Sequence, residues 1–225
     1  MSQVRIHRAS DETSAAAEPQ RLRVAIADDH ANYRDRLAIF LRERDLEVVG
    51  EVGNGEAAIE LCERAAPDVI VIDLRMPLLS GFEAIRRLGR VVPRHRIVAI
   101  GAVALADEIA DAILLGANGH VSKDRPLPEL IWMLRAVAAG KLLIGPGTAQ
   151  VLLRRLRGEA DPERSLADAS VSRRELDLLA CLAQSYTPAQ IAIALSATSE
   201  EVVEDAEVLL MKLRLERRIK EGPDV

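Results

Sequence analysis

The chain has 225 residues, 49% of them hydrophobic and only 2% aromatic, with a formal net charge of −5. That length accommodates one or two domains with ample cores, and the acidic balance excludes a protein that coats nucleic acid broadly. No apolar run reaches transmembrane length and no signal peptide pattern opens the sequence, so a soluble, cytoplasmic protein with no membrane partner is expected.

Residues 1–20 are polar and without periodicity, which predicts a disordered tail. RLRVAIA (21–27) reads as a strand, followed by an amphipathic helix near 31–44. LEVVGEV (46–52) is a second strand and 54–66 a second helix, which carries Cys62. Cys62 and Cys181 match no metal spacing, and two isolated cysteines point to a reducing compartment. The third strand, 68–72, contains Val69, Ile70, Val71 and Ile72 in one unbroken run. Such a run, with no alternation, suits a strand buried on both faces of a parallel sheet. A helix from Gly81 to Leu88, strand RIVAI (96–100), a helix near 105–115, strand NGHVS (118–122) and a helix at 126–140 ended by Gly140 complete the unit.

This fivefold βα alternation predicts an α/β fold with right-handed crossovers and helices on both sheet faces. Residues 142–168 read as a linker with one helix at 147–159. Three amphipathic helices follow. Ser172 with Glu175 is a capping box opening the first, to about Gln184; Thr187 caps the second, through Leu195; Thr198 with Glu201 opens the third, to about Leu213. Residues 219–225 are left as a tail.

The acids fall at the carboxyl ends of the predicted strands: Asp28 and Asp29 after the first, Asp73 after the third, with Lys123 after the fifth. Ligands bind at this edge of an open α/β sheet. Three clustered carboxylates raise each other's pKa unless a cation lies between them. Mg²⁺, a hard ion held by few carboxylates plus waters and phosphate oxygens, suits such a cluster. With an ammonium in the same cleft, the group can stabilise a transferring phosphoryl, and Asp73 is then a nucleophile that forms an aspartyl phosphate.

AIADDH, DLRMP with the following Gly81, and SKD together resemble the receiver domain of bacterial two-component response regulators, over about residues 21–141. The resemblance implies a flavodoxin-like (βα)5 fold, with Asp73 as phosphoacceptor. It also implies Asp28, Asp29, Asp73 and the backbone carbonyl of Arg75 as Mg²⁺ ligands, Lys123 on the phosphoryl group, and a sensor histidine kinase as partner. Two positions depart from the family. Gly101 stands where receivers carry a Ser or Thr, and no Ser or Thr occurs from Gly81 to Val121; His120 stands where they carry an aromatic. A weakened relay of the phosphorylated state is expected, and His120 reads as a half-exposed strand residue.

Residues 169–218, through S-R-R-E-L, Q-I-A and E-V-V…K-L, resemble the all-α, LuxR-type helix-turn-helix domain of NarL/FixJ response regulators. That implies a transcription regulator rather than an enzyme, a homodimer, and DNA as a partner read by the third helix. Val202, Ala206, Leu209 and Leu213 form its expected core stripe. Its outer positions are Glu200, Val203, Glu204, Asp205, Glu207 and Met211, and from Thr198 to Met211 there are five acids and no base. Val203 and Glu207 replace the family's usual lysines, and Asp205 its usual histidine. Backbone contacts are left to Arg173, Arg174, Lys212 and Arg214, with Arg217 and Arg218 nearby. Residues 169–225 hold seven bases against ten acids. Acids on a groove-facing side oppose phosphate-driven binding, so two outputs stay open: DNA, or a basic protein partner docked on the acidic helix.

Overall fold

A computed structural model describes residues 21–90, 96–101, 105–159, 165–167 and 169–222. The expected tail at 1–20, part of the 142–168 segment and residues 223–225 lie outside the described residues. The first unit runs β1 (Arg23–Ala27), α1 (Ala31–Arg42), β2 (Glu47–Val52), α2 (Gly55–Ala65), β3 (Val69–Asp73), α3 (Gly81–Arg90), β4 (Arg96–Gly101), α4 (Ala106–Leu115), β5 (Gly119–Ser122) and α5 (Leu127–Ala138). All strand pairs are parallel, in the order β2-β1-β3-β4-β5. The order reverses between β1 and β3, and that switch point opens a crevice at the strands' carboxyl ends.

The period of two in the strands divides the core. Ala25, Ile70, Ile72, Ile97 and Ala99 face α2, α3 and α4, while Val24, Ile26, Val69, Val71, Val98 and Ile100 face α1 and α5. All five residues of β3 are buried, as the unbroken apolar run requires. Cys62 is buried in this core, and burial pushes its thiol up to about 12.

The helical part consists of α6 (Pro146–Leu156), α7 (Arg173–Ala183), α8 (Pro188–Ala194) and α9 (Ser199–Glu221). The capping boxes at Ser172/Glu175 and Thr198/Glu201 form as predicted, and Thr187 with Gln190 makes a third. Two features differ from the sequence reading. The helix of the 142–168 segment is no loose tether: Ala149, Val151, Leu152 and Leu153 of α6 are buried in one continuous cluster with Ile113 of α4, Leu178 of α7 and Leu209 of α9. The third helix does not stop near Leu213 but runs to Glu221, so residues 219–221 are helical rather than tail.

Arg155 of α6 explains part of this cohesion. Its side chain is 1% exposed, and its guanidinium donates to Asp111 Oδ1 (2.8 Å) and Asp107 Oδ1 (3.1 Å) of α4. Arg217 of α9 donates to the same Asp111 oxygen at 2.7 Å. Burial alone would raise the Asp111 pKa, but the Arg217 hydrogen bond and the Arg155 charge outweigh it and hold the carboxyl below its ordinary range. One carboxylate thus joins three helices.

Candidate functional site

β1, β3 and β5 deliver their last residues to one crevice. Asp28 follows β1 directly, its backbone N–H bonded to the Val52 carbonyl (3.0 Å) and its side chain fully buried. Asp73 is the last residue of β3 and 4% exposed. Lys123 follows β5, its backbone N–H donating to the Gly101 carbonyl at 2.9 Å. The Lys123 Nζ lies 2.7 Å from Asp28 Oδ2 and 2.6 Å from Asp73 Oδ2. Burial would depress the lysine pKa, but the two carboxylates outweigh it and raise it, so the ammonium is retained. The other Asp73 oxygen accepts from the Arg75 backbone N–H at 3.1 Å, so the loop after β3 turns its polar backbone onto the acid. The Arg75 side chain points elsewhere, to Glu108 at 2.8 Å.

Asp29 is exposed at the rim, and His30 Nδ1 lies 2.7 Å from its Oδ1. Ligand atoms of Asp28, Asp29, His30 and Asp73 all lie within 4.8 Å of one another. One ammonium cannot neutralise three carboxylates, so the crevice keeps a net negative balance that a divalent cation fits. The chemistry of the donors, hard oxygens with one imidazole at the rim, suits an oxygen-seeking ion.

Sequence reasoning missed two contributors, His30 and Tyr33, and named a third, Gly81, without the reason for it. His30 stands inside AIADDH, but nothing in the spacing alone marks it as a ligand. The Tyr33 ring lies 4.9 Å from Lys123 Nζ, a cation–π contact that only the folded α1 reveals. Gly81 opens α3, and a Cβ there would lie 1.8 Å from the Asp73 carbonyl oxygen and 2.8 Å from Leu74 Cα. Both obstacles are backbone, so any side chain must displace the strand end that carries Asp73. Gly81→Ala is expected to cost about 1–3 kcal/mol in urea unfolding; an unchanged midpoint would show that the α3 entry yields more easily than this geometry implies.

Gly101 is the buried last residue of β4. His120 is half-buried in β5, and its Nε2 is buried with no hydrogen-bond partner among the described residues. Burial pushes the imidazole pKa down to about 4, only partly opposed by Glu108, so it is neutral at pH 7.

In the helical part, Val202, Leu209 and Leu213 of α9 are buried as expected, with Leu210 beside them, while Ala206 is partly buried. Glu200, Val203, Glu204 and Glu207 are exposed. The bases expected to contact a nucleic-acid backbone are largely occupied. Arg174 pairs with Asp205 at 2.7 Å and Lys212 with Glu175 at 2.8 Å. Arg214 is turned into the first unit, donating to the carbonyls of Ile113 (2.9 Å) and Ala117 (2.7 Å). Burial and neighbouring Arg218 lower its pKa to about 10, which leaves it charged. Arg173 stands well out, in a surface pair with Asp177.

Residues 24–135 match the model of the response regulator receiver domain. Over 199 residues the chain is 31% identical to the nitrate/nitrite response regulator protein NarL of Escherichia coli, covering 88% of this chain and 91% of that protein. Over 198 residues it is 34% identical to the DNA-binding transcriptional activator DevR/DosR of Mycobacterium tuberculosis, covering 88% of this chain and 90% of that protein. Among solved structures, a LuxR-family two-component response regulator from an Aurantimonas species is 28% identical, with a TM-score of 0.54 over 58% of this chain and 94% of that one.

Proposed function

The chain belongs to the response regulators, and on that premise we propose that Asp73 accepts a phosphoryl group from a sensor histidine kinase in the cytoplasm. Residues 21–141 are then the receiver and 169–218 the LuxR-type output unit. The observation that carries the reading is Lys123 Nζ held between Asp28 and Asp73, at 2.7 and 2.6 Å. One Asp73 oxygen attacks phosphorus, the donor's bond to phosphorus breaks, and the donor leaves with that electron pair. Lys123 is placed to exchange its carboxylate contacts for a phosphoryl oxygen. Asp28, Asp29 and Asp73, with the Arg75 carbonyl, would hold Mg²⁺, which when bound neutralises charge on the phosphoryl oxygens.

The output reading is control of transcription through DNA, as its similarity to the DNA-binding transcriptional activator DevR/DosR suggests. The bases that would meet phosphates include Arg214, now bonded to the receiver, so DNA affinity requires α9 to leave α4. Phosphorylation would act by shifting that docked–released balance, and Gly101 and His120 weaken the relay. A second reading, interaction with a protein, is favoured by the exposed acidic face of α9. The two separate on nonspecific duplex DNA at about 50 mM salt, where electrostatic affinity is greatest. The chain charged with Mg²⁺ and beryllofluoride is expected to be retained and the untreated chain to wash through. Retention in neither state would eliminate DNA as the output.

A further inference from the structure

The first turn of α1 is tied to the acid at the end of β1. His30, just before the helix, donates its backbone N–H to Asp28 Oδ1 at 2.9 Å, and the Arg34 guanidinium donates to the Asp28 carbonyl. The Tyr33 backbone N–H in turn donates to the His30 carbonyl at 3.0 Å. Tyr33, Leu37 and Leu41 follow one another at four-residue spacing on one face of α1, and Tyr33 packs against the core that holds those leucines, Ile100 and Val121. An aliphatic residue would end such a stripe equally well, so packing alone does not account for a tyrosine.

The ring meets Lys123. Its centroid lies 4.9 Å from Nζ, within the distance at which a π face attracts an ammonium. Asp28 Oδ2 and Asp73 Oδ2 hold the same Nζ at 2.7 and 2.6 Å, which uses two of the three N–H donors of a lysine. The Lys123 side chain is only 12% exposed, so water screens these attractions little. The ring itself stays neutral. Burial raises the phenol pKa, the Lys123 charge opposes that rise, and the Asp28 and Asp73 charges add to it, so the hydroxyl keeps its proton.

Lys123 has to exchange a carboxylate oxygen for a phosphoryl oxygen, and its two kinds of partner respond differently. A hydrogen bond to a carboxylate is directional and breaks in the exchange. Attraction to a ring face depends chiefly on distance and tolerates a small swing of the ammonium. With no ring there, water would take up the freed N–H and weaken the hold on the arriving anion. We propose that Tyr33 is a positioning residue for phosphoryl acceptance: its ring face keeps the Lys123 ammonium in the crevice while that ammonium passes from Asp73 to the phosphoryl group. This role rests on the reading of Asp73 as the phosphoryl acceptor.

Calorimetric titration of the full chain with beryllofluoride in Mg²⁺ tests the role. Tyr33→Leu is expected to weaken binding about five- to thirtyfold, the equivalent of a cation–π contact on a partly desolvated ammonium, and Tyr33→Phe to stay within about twofold of the native chain. Phenylalanines carrying successively more ring fluorines at position 33 keep the shape while draining charge from the ring face. Affinity should fall stepwise along that series, which a residue that only fills space would not produce. Native affinity in Tyr33→Leu, a Tyr33→Phe chain as weak as Tyr33→Leu, or a flat response to fluorination overturns the role and leaves Asp73 as acceptor untouched. A native chain that binds no beryllofluoride overturns both.

Discussion

Asp73→Ala is expected to abolish Mg²⁺-dependent binding of beryllofluoride, an analogue of the phosphoryl group, while leaving the fold intact. Asp73 supplies the only carboxylate at the end of β3, and its two oxygens are held by Lys123 and by the Arg75 backbone N–H. With Ala in place, nothing remains there to bond beryllium, so the loss is complete rather than graded. Folding should survive because Lys123 keeps Asp28 as a partner at 2.7 Å, and one ion pair for one buried ammonium satisfies the main electrostatic demand. Circular dichroism establishes the fold and calorimetry the binding. Binding that persists in the variant would move the acceptor away from β3.

The second large effect concerns Asp111 of α4, which joins α4 to α6 and α9. Asp111→Ala leaves Arg155 buried with Asp107 as its remaining acidic partner among the described residues and removes one acceptor of Arg217. Breaking a buried pair from one side costs about 3–5 kcal/mol, and Asp107, which is 41% exposed, offsets little of that. The pH dependence follows from the direction of the shift. The folded-state pKa of Asp111 is depressed, so its stabilisation is present above the unfolded carboxyl value of about 4. It is lost as pH falls through the lower folded value. Urea midpoints of the native chain and the variant should therefore lie well apart at pH 7 and converge in acid. Midpoints that stay parallel from pH 7 to pH 3 would mean that Asp111 does not carry the joint between α4, α6 and α9.

Much of the receiver was legible because its signals are local. The unbroken β-branched run at Val69–Ile72 suits a strand buried on both faces, and acids placed after β1 and β3 converge once the sheet is parallel. Capping boxes at Ser172 and Thr198 set two helix starts to the residue. What was not legible depends on contacts through space. Gly81 looks like an ordinary turn glycine until the Asp73 carbonyl is seen to fill the space of its Cβ. Arg155 reads as one of several basic residues on a linker helix; its burial follows only from Asp107 and Asp111, more than forty residues away. The stop expected near Leu213 marks the end of the buried stripe, not of the helix. No glycine or proline interrupts the chain from Ser199 until Gly222, where φ is +76° and the helix ends. Arg214 and Arg217, expected among the free bases, are bound to the receiver instead, so the C-terminal half of α9 is held there.

The measurement that bears most directly on the whole account is the site of phosphorylation itself. The full chain, incubated with Mg²⁺ and a small phosphodonor such as acetyl phosphate, reduced with borohydride and digested, should carry the modification on Asp73 and on no other acid. It should vanish when Mg²⁺ is chelated. A chain that stays unmodified under these conditions, or one modified only elsewhere, would contradict the assignment of this crevice as a phosphoryl-accepting site.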